Sequence, residues 1–266
     1  MPVLVTGAET ALGRAAVRAL RRSGGEVRVY LDAEVAGDAD AEAFRRLGAK
    51  TAIGTLDDEG RLETALEQVH TVVHCWGGPL TTPADELDGL AGVLSAALGA
   101  GCRRLVWASH LGADDPAGGA YLQACADAEA LLADATLESI VVRRALTYAP
   151  GDELTRRLAA GGAVRPDALH APLAVADLAA ALAQADAVDR RGSGSTLALT
   201  IELAGPQVRT LAEVASALRD AGLGGGQPTP LPATTVALYE RDLVGGPAAL
   251  GKGGTTMEQA ASAHRG

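Results

Sequence analysis

Residues 5–13 read VTGAETALG, with an apolar run before the glycines and a helical apolar pattern (Leu12, Ala16, Val17, Leu20) after them. That arrangement bends a chain tightly out of a strand and turns the free N–H groups of a helix start toward an anion. In a turn that cradles a dinucleotide, the first glycine makes the bend, the second lets the backbone approach the pyrophosphate, and the third lets helix and strand pack closely. Gly7 and Gly13 supply the first and third roles. Thr10 stands at the second, where its hydroxyl is expected to donate to a phosphate oxygen, and Glu9 puts a carboxylate beside it. Nineteen residues after Gly13, Asp32 closes the next apolar run, where an acid can bind both hydroxyls of an adenosine ribose. Two alternatives stay open: Asp32 as a solvated strand-end acid, and a cradle that Thr10 and Glu9 have closed.

Other residues carry chemistry of their own. His110 has an imidazole whose ordinary pKa near 6.5 suits acid–base work, against the plainer reading of a surface or supporting histidine. Cys125 as a nucleophile needs a base and a lowered pKa, and the neighbouring Asp127 and Glu129 oppose both. His70 and His74 share one face of a strand with Cys75 next in line, but no third ligand follows at metal spacing, so no metal site is expected. Arg143 and Arg144 end an apolar run, where each either makes a structural ion pair or holds an anionic substrate. Phe44 is the single phenylalanine, which leaves Trp76, Trp107, Tyr121 and Tyr148 as the large walls of any pocket.

The elements that must position these groups alternate regularly. Strand patterns at 2–6, 26–32, 50–54, 71–76, 103–109 and 139–145 are interleaved with helical patterns at 11–25, 41–48, 60–69, 85–101 and 119–135. This spacing predicts an α/β, doubly wound fold, a parallel sheet with helices on both faces. Helices follow at 152–160, 175–185 and 210–222, the last opened by the capping box Thr210–Glu213, and a late strand at 197–205. From Gly222 onward, ten Gly and four Pro in 45 residues leave only short helical patches such as 234–243, a thin cap or partly mobile tail.

Composition narrows the function classes. A net charge of −10 with no basic stripe argues against nucleic acid, and the apolar runs are interrupted by acids, which argues against a membrane span. Three scattered cysteines suit reduced thiols rather than a disulfide framework, and the expected location is the cytoplasm. Arginine outnumbers lysine 21 to 2, as expected from a GC-rich bacterial genome.

Seven segments, TGAETALG, GTLDDEGRLETALEQVHTVVHCWG, GAGCRRLVWASHLGAD, YLQACADAEALL, SIVVRRALTYAPGD, APLAVADLAAAL and IELAGPQVRTLAEVASAL, run in the order found in the atypical short-chain dehydrogenase/reductases, and the chain resembles their NmrA-like group over about residues 3–221. The resemblance implies a Rossmann domain over 1–150 and a smaller, interleaved substrate-binding C-terminal region over 151–266. It implies Gly7, Thr10, Leu12 and Gly13 at the pyrophosphate, Asp32 at the adenosine ribose, Leu56 and Asp57 at the adenine, and Trp76 and Gly77 along the cofactor. Asp32 occupies a position where the family often has the arginine that binds a 2′-phosphate, so NAD is favoured over NADP. The family's redox members place a Ser or Thr after the fifth strand and a Tyr-x-x-x-Lys on the next helix. Ser109 and Tyr121 match, with His110 as a further acid–base candidate, whereas Cys125 stands at the lysine. The implied function is an NAD(P)-dependent oxidoreductase acting on a small molecule in bacterial specialised metabolism, by reduction or redox-neutral rearrangement. The rival is a non-catalytic nucleotide sensor. The oligomeric state is left open, a homodimer among the options.

Overall fold

The computed structural model describes residues 1–161, 165–188, 197–223, 230–246, 254–257 and 259. Parts of the Gly/Pro-rich tail, for which a thin cap or mobile segment is expected, lie outside the described residues. The chain begins β1 (Val3–Thr6), α1 (Ala11–Arg22), β2 (Val27–Asp32), α2 (Asp38–Arg46), β3 (Lys50–Gly54), α3 (Glu59–Leu66), β4 (Thr71–His74), α4 (Pro83–Gly99), β5 (Arg104–Trp107), α5 (Ala120–Asp134) and β6 (Glu138–Arg144). It continues β7 (Thr147–Tyr148), α6 (Glu153–Ala159), β8 (Leu169–His170), β9 (Leu173–Ala174), α7 (Val175–Asp186), β10 (Ala198–Leu203), β11 (Arg209–Thr210), α8 (Leu211–Asp220) and α9 (Ala233–Tyr239).

Seven strands form one parallel sheet in the order β10-β6-β5-β4-β1-β2-β3. β1 pairs with β2 on one side and β4 on the other, so the strand order reverses there. Such a switch point opens a crevice beyond the carboxyl ends of the strands. The strands read as continuous apolar runs because both faces are covered: VLVT of β1 and RLVW of β5 are buried throughout. Leu90, Val93 and Leu132 of α4 and α5 fill one layer, and Ala16, Val17, Leu178 and Leu182 of α1 and α7 fill the other.

The strand expected at 71–76 is shorter. It ends at His74, and Cys75 and Trp76 leave the sheet to face the glycine turn. Two small pairings, β7 with β9 and β8 with β11, were not legible as strands, since two residues carry no periodicity. The capping box at Thr210 and Glu213 is present and opens α8. Among the described residues no helix is long and apolar enough to cross a membrane.

Candidate functional site

The crevice is set by the turn between β1 and α1. Gly7 adopts φ +64°, and a Cβ there would overlap the backbone of Trp76. A Cβ on Gly13 would overlap the Gly7 carbonyl, so only glycine lets α1 pack this closely on the turn. Thr10 is the N-cap of α1. Its Oγ1 accepts from the Gly13 N–H at 2.9 Å and donates to the Gly7 carbonyl at 2.8 Å, with the Cys75 carbonyl at 3.2 Å. The hydroxyl proton is therefore committed to backbone, which corrects the expectation that Thr10 donates to phosphate. The residue trades the close approach of a glycine for a capped helix. The Ala11 and Leu12 N–H groups have no backbone acceptor among the described residues, and both residues line a cavity. They fit an anion.

Two cavities flank this turn. One, of about 400 Å³, is lined by Asp32, Leu56, Asp57 and Trp76, together with Glu34, Thr55, Asp85, Asp88, Gly89 and Gly92. Asp32 holds the backbone there by accepting from the Glu34 N–H at 2.9 Å. Trp76 lies against Gly89 of α4, where a Cβ would stand 2.8 Å from its ring. Glu9 sits between the turn and Asp32. Burial, with the Asp32 charge adding to it, raises its pKa, and its Oε2 is buried without a partner. The second cavity, of about 100 Å³, is lined by Thr10, Leu12, Cys75, Gly77, Gly78, Thr81 and Arg144, with Thr147, Asp152, Leu154 and Val175 from the chain after β6.

The three expected catalytic residues line neither cavity. Ser109 donates its hydroxyl to Glu129 at 2.6 Å, and Arg143 clasps the same carboxylate at 2.8 Å while reaching Asp114 at 3.0 Å. His110 and Tyr121 do come together, ring centroids 6.2 Å apart, in a sealed layer with Tyr239. His110 places Nδ1 3.0 Å from the Leu111 carbonyl, so that nitrogen carries the proton, and burial lowers its pKa to about 3. It is neither a surface histidine nor one that charges near neutrality. Burial, then the Glu86 charge, lifts the Tyr121 hydroxyl well above 10. The Cys125 thiol, also buried, is pushed up to about 12, which removes it as a nucleophile. Cys75 and Cys102 rise to about 12 and about 11 for the same reason. No group of three ligating side chains lies together among the described residues.

Glu86 escaped notice in the sequence. It is 2% exposed, accepts from the Gly78 N–H and the Thr81 hydroxyl at 2.7 Å each, and so fixes the loop that floors the second cavity. The signal was available: Glu86 falls on the apolar stripe of α4 with Leu90, Val93 and Ala97, where an acid has no reason to be unless it bonds something.

Known proteins share this fold. The sequence pattern of NAD(P)H-binding domains matches residues 7–187, more than half of the chain. No curated protein matches it in sequence. Among solved structures it is similar to a Thermus thermophilus UDP-glucose 4-epimerase in complex with NAD (TM-score 0.71, 19% identity, 100% of this chain and 99% of that one). It is also similar to an Escherichia coli NADPH-dependent quinone oxidoreductase in complex with NADPH (0.73, 21%, 99% and 100%). A Bifidobacterium longum UDP-glucose 4-epimerase with NAD+ and UDP gives 0.74 at 16% identity, covering 98% and 96%. With a glycine turn at the switch point of a parallel sheet and a matching pattern over residues 7–187, the chain belongs to the NAD(P)H-binding family and has a Rossmann fold.

Proposed function

We propose that the protein is an NAD-dependent enzyme acting on a small molecule. Its adenosine end would be held by Asp32, Leu56, Asp57 and Trp76, and its pyrophosphate by the Ala11 and Leu12 N–H groups beside Gly7, Thr10, Gly13 and Gly77. The observation that carries the choice of NAD is the first cavity, whose lining includes the carboxylates of Asp32, Glu34, Asp57, Asp85 and Asp88 and no Lys or Arg. A 2′-phosphate entering there meets carboxylates and no cation in the lining, whereas ribose hydroxyls find acceptors. The stretch after residue 150 would supply the substrate side, through Asp152, Leu154 and Val175. Buried free cysteines suit a reducing cytoplasm, and the arginine bias suits a GC-rich bacterium, for which specialised metabolism is the setting proposed.

Bound NAD(H) supplies or accepts a hydride. Tyr121 holds its proton at Oη at neutral pH, since burial outweighs the Arg144 charge acting in the other direction. It lines neither cavity, so it can give that proton only to a substrate oxygen that reaches its layer, and it cannot act as a phenolate base. Reduction, or rearrangement with proton donation, follows more readily than alcohol oxidation.

The second reading, a non-catalytic nucleotide sensor, is favoured by one observation: Ser109, His110 and Tyr121 all sit away from the cavities. Crystals grown with NAD test the shared premise. Continuous density from Asp32 past Ala11 is expected, and an empty groove at millimolar NAD overturns it. Deuterium transfer from 4-deuterated NADH to any of a panel of aldehydes, ketones and quinones then separates enzyme from sensor.

A further inference from the structure

Arg143 and Arg144 are neighbours at the end of β6 and are treated oppositely. Arg143 is held between Glu129 and Asp114. Arg144 is 8% exposed, its Nε is buried without a partner, and its guanidinium takes part in no hydrogen bond or ion pair among the described residues. The side chain lines the second cavity, with Nη2 3.1 Å from where a Cβ on Gly78 would stand. The carboxylates within range are engaged elsewhere. Glu86 is bonded to Gly78 and Thr81, and Asp152 accepts from both the N–H and the hydroxyl of Thr155 at 2.9 Å as the cap of α6. An arginine cannot lose its charge at any ordinary pH, and the buried Glu86 carboxylate acts on Arg144 only through space, with no ion pair closing its fork. The fold keeps one here, facing open space.

Arg144 and the start of α1 enter this cavity from opposite sides. β1 and β6 are three places apart in the sheet. At about 4.8 Å per strand that is roughly 14 Å between the backbone of Arg144 and the start of α1. The Arg144 side chain closes part of that distance, since Ala11, Leu12 and Arg144 line one cavity of about 100 Å³, but it approaches from the side of the chain after β6.

We propose that Arg144 is the anchor of a second anion subsite that takes the carboxylate or phosphate of the substrate through its planar fork, distinct from the site of the cofactor's pyrophosphate. It rests on the reading that this groove holds NAD. The substrate class is then a small organic acid or phosphate ester whose head enters a cavity of about 100 Å³ beside Gly78 and Thr147.

Calorimetric titration of malonate, and separately of inorganic phosphate, into the full chain with and without saturating NAD tests the subsite and tells the two anions apart. At least one should bind in the presence of NAD. Arg144→Met should weaken it by about tenfold or more, with Arg144→Lys in between, while NAD affinity changes by less than about threefold. The Arg144→Met protein should fold and melt close to wild type, because the guanidinium it loses makes no ion pair, although Glu86 loses a positive charge nearby. The proposal is overturned if neither anion binds at millimolar concentration, if Arg144→Met binds it as well as wild type, or if Arg144→Met does not fold. It is equally overturned if NAD displaces the anion and Arg144→Met loses NAD, which would give Arg144 to the cofactor. Absence of NAD binding would defeat the function proposed above while leaving an Arg144-dependent anion site standing.

Discussion

Arg104 and Arg144 are both buried, 3% and 8% exposed, and lie on adjacent strands at opposite ends of the sheet. Arg104 opens β5 and is saturated. It bonds Glu138 through Nε at 3.0 Å and Nη2 at 2.7 Å, and reaches the carbonyls of Ala185, Asp186 and Val188 at the end of α7. One side chain thus neutralises an acid and caps the electronegative end of a helix. Arg144 closes β6, and its buried Nε has no partner among the described residues. Where a buried charge serves the fold, the chain supplies its partners; where it serves a ligand, the partner is left to arrive.

The largest expected effect breaks the Arg104 end. Arg104→Met leaves Glu138 to Arg103 alone and unpairs three carbonyls, and should cost about 2–4 kcal/mol in urea unfolding, clearly more than Arg144→Met. Equal losses would erase the distinction.

Acid should then separate the two ends. At the site end burial lowers His74 to about 4 and His110 to about 3, below the ordinary 6.5. The unfolded chain binds these protons first, so stability is intact above about pH 6.5 and falls as pH drops toward those folded values, by up to about 1.4 kcal/mol per unit for each histidine. Glu138 is lowered on balance. Burial pushes it up, but Arg104 and Arg103 outweigh that, so its contribution is lost only as pH falls below the usual carboxylate range. Hydrogen exchange at pH 5.5 against 7.5 should therefore show more loosening around His74 and His110 than near Arg104, where the lowered histidine is the half-buried His70, shifted by burial and then by the Arg103 charge. Uniform loosening would contradict this.

Gly13→Ala drives a Cβ into the Gly7 carbonyl and should cost about 1–3 kcal/mol in stability together with most of the NAD affinity. A variant that binds NAD normally would mean that the turn is not the cradle. The smallest change expected is Thr10→Gly. It removes the cap bond to Gly13 but relieves the backbone, and should lower stability by only a few tenths of a kcal/mol while leaving NAD affinity equal or tighter.

Most of the fold was legible because each buried strand is an apolar run and each helix carries a stripe, as in α1 with Leu12, Ala16, Val17 and Leu20. The glycine turn was legible for a local reason: its shape depends on neighbours in sequence. Thr10 was legible as an exception but not as a cap, because whether its proton goes to a phosphate or to the Gly7 carbonyl depends on a rotamer. The choice between Arg143 and Arg144 could not be read at all. Both end the same strand, and only α5 and the loop carrying Asp114, both distant in sequence, decide which one finds acids. Ser109 failed similarly, since the Glu129 that takes its proton stands 20 residues away on the packed face of α5.

The central claim is that an acid-lined groove on a Rossmann sheet takes NAD in preference to NADP. Calorimetric titration of both dinucleotides into the same wild-type protein tests it most directly. The account predicts NAD binding in the micromolar range, about −8 kcal/mol, with NADP at least about tenfold weaker because its extra phosphate faces Asp32 and its neighbouring carboxylates. NADP binding as tightly as NAD, or neither binding at millimolar concentration, would contradict it.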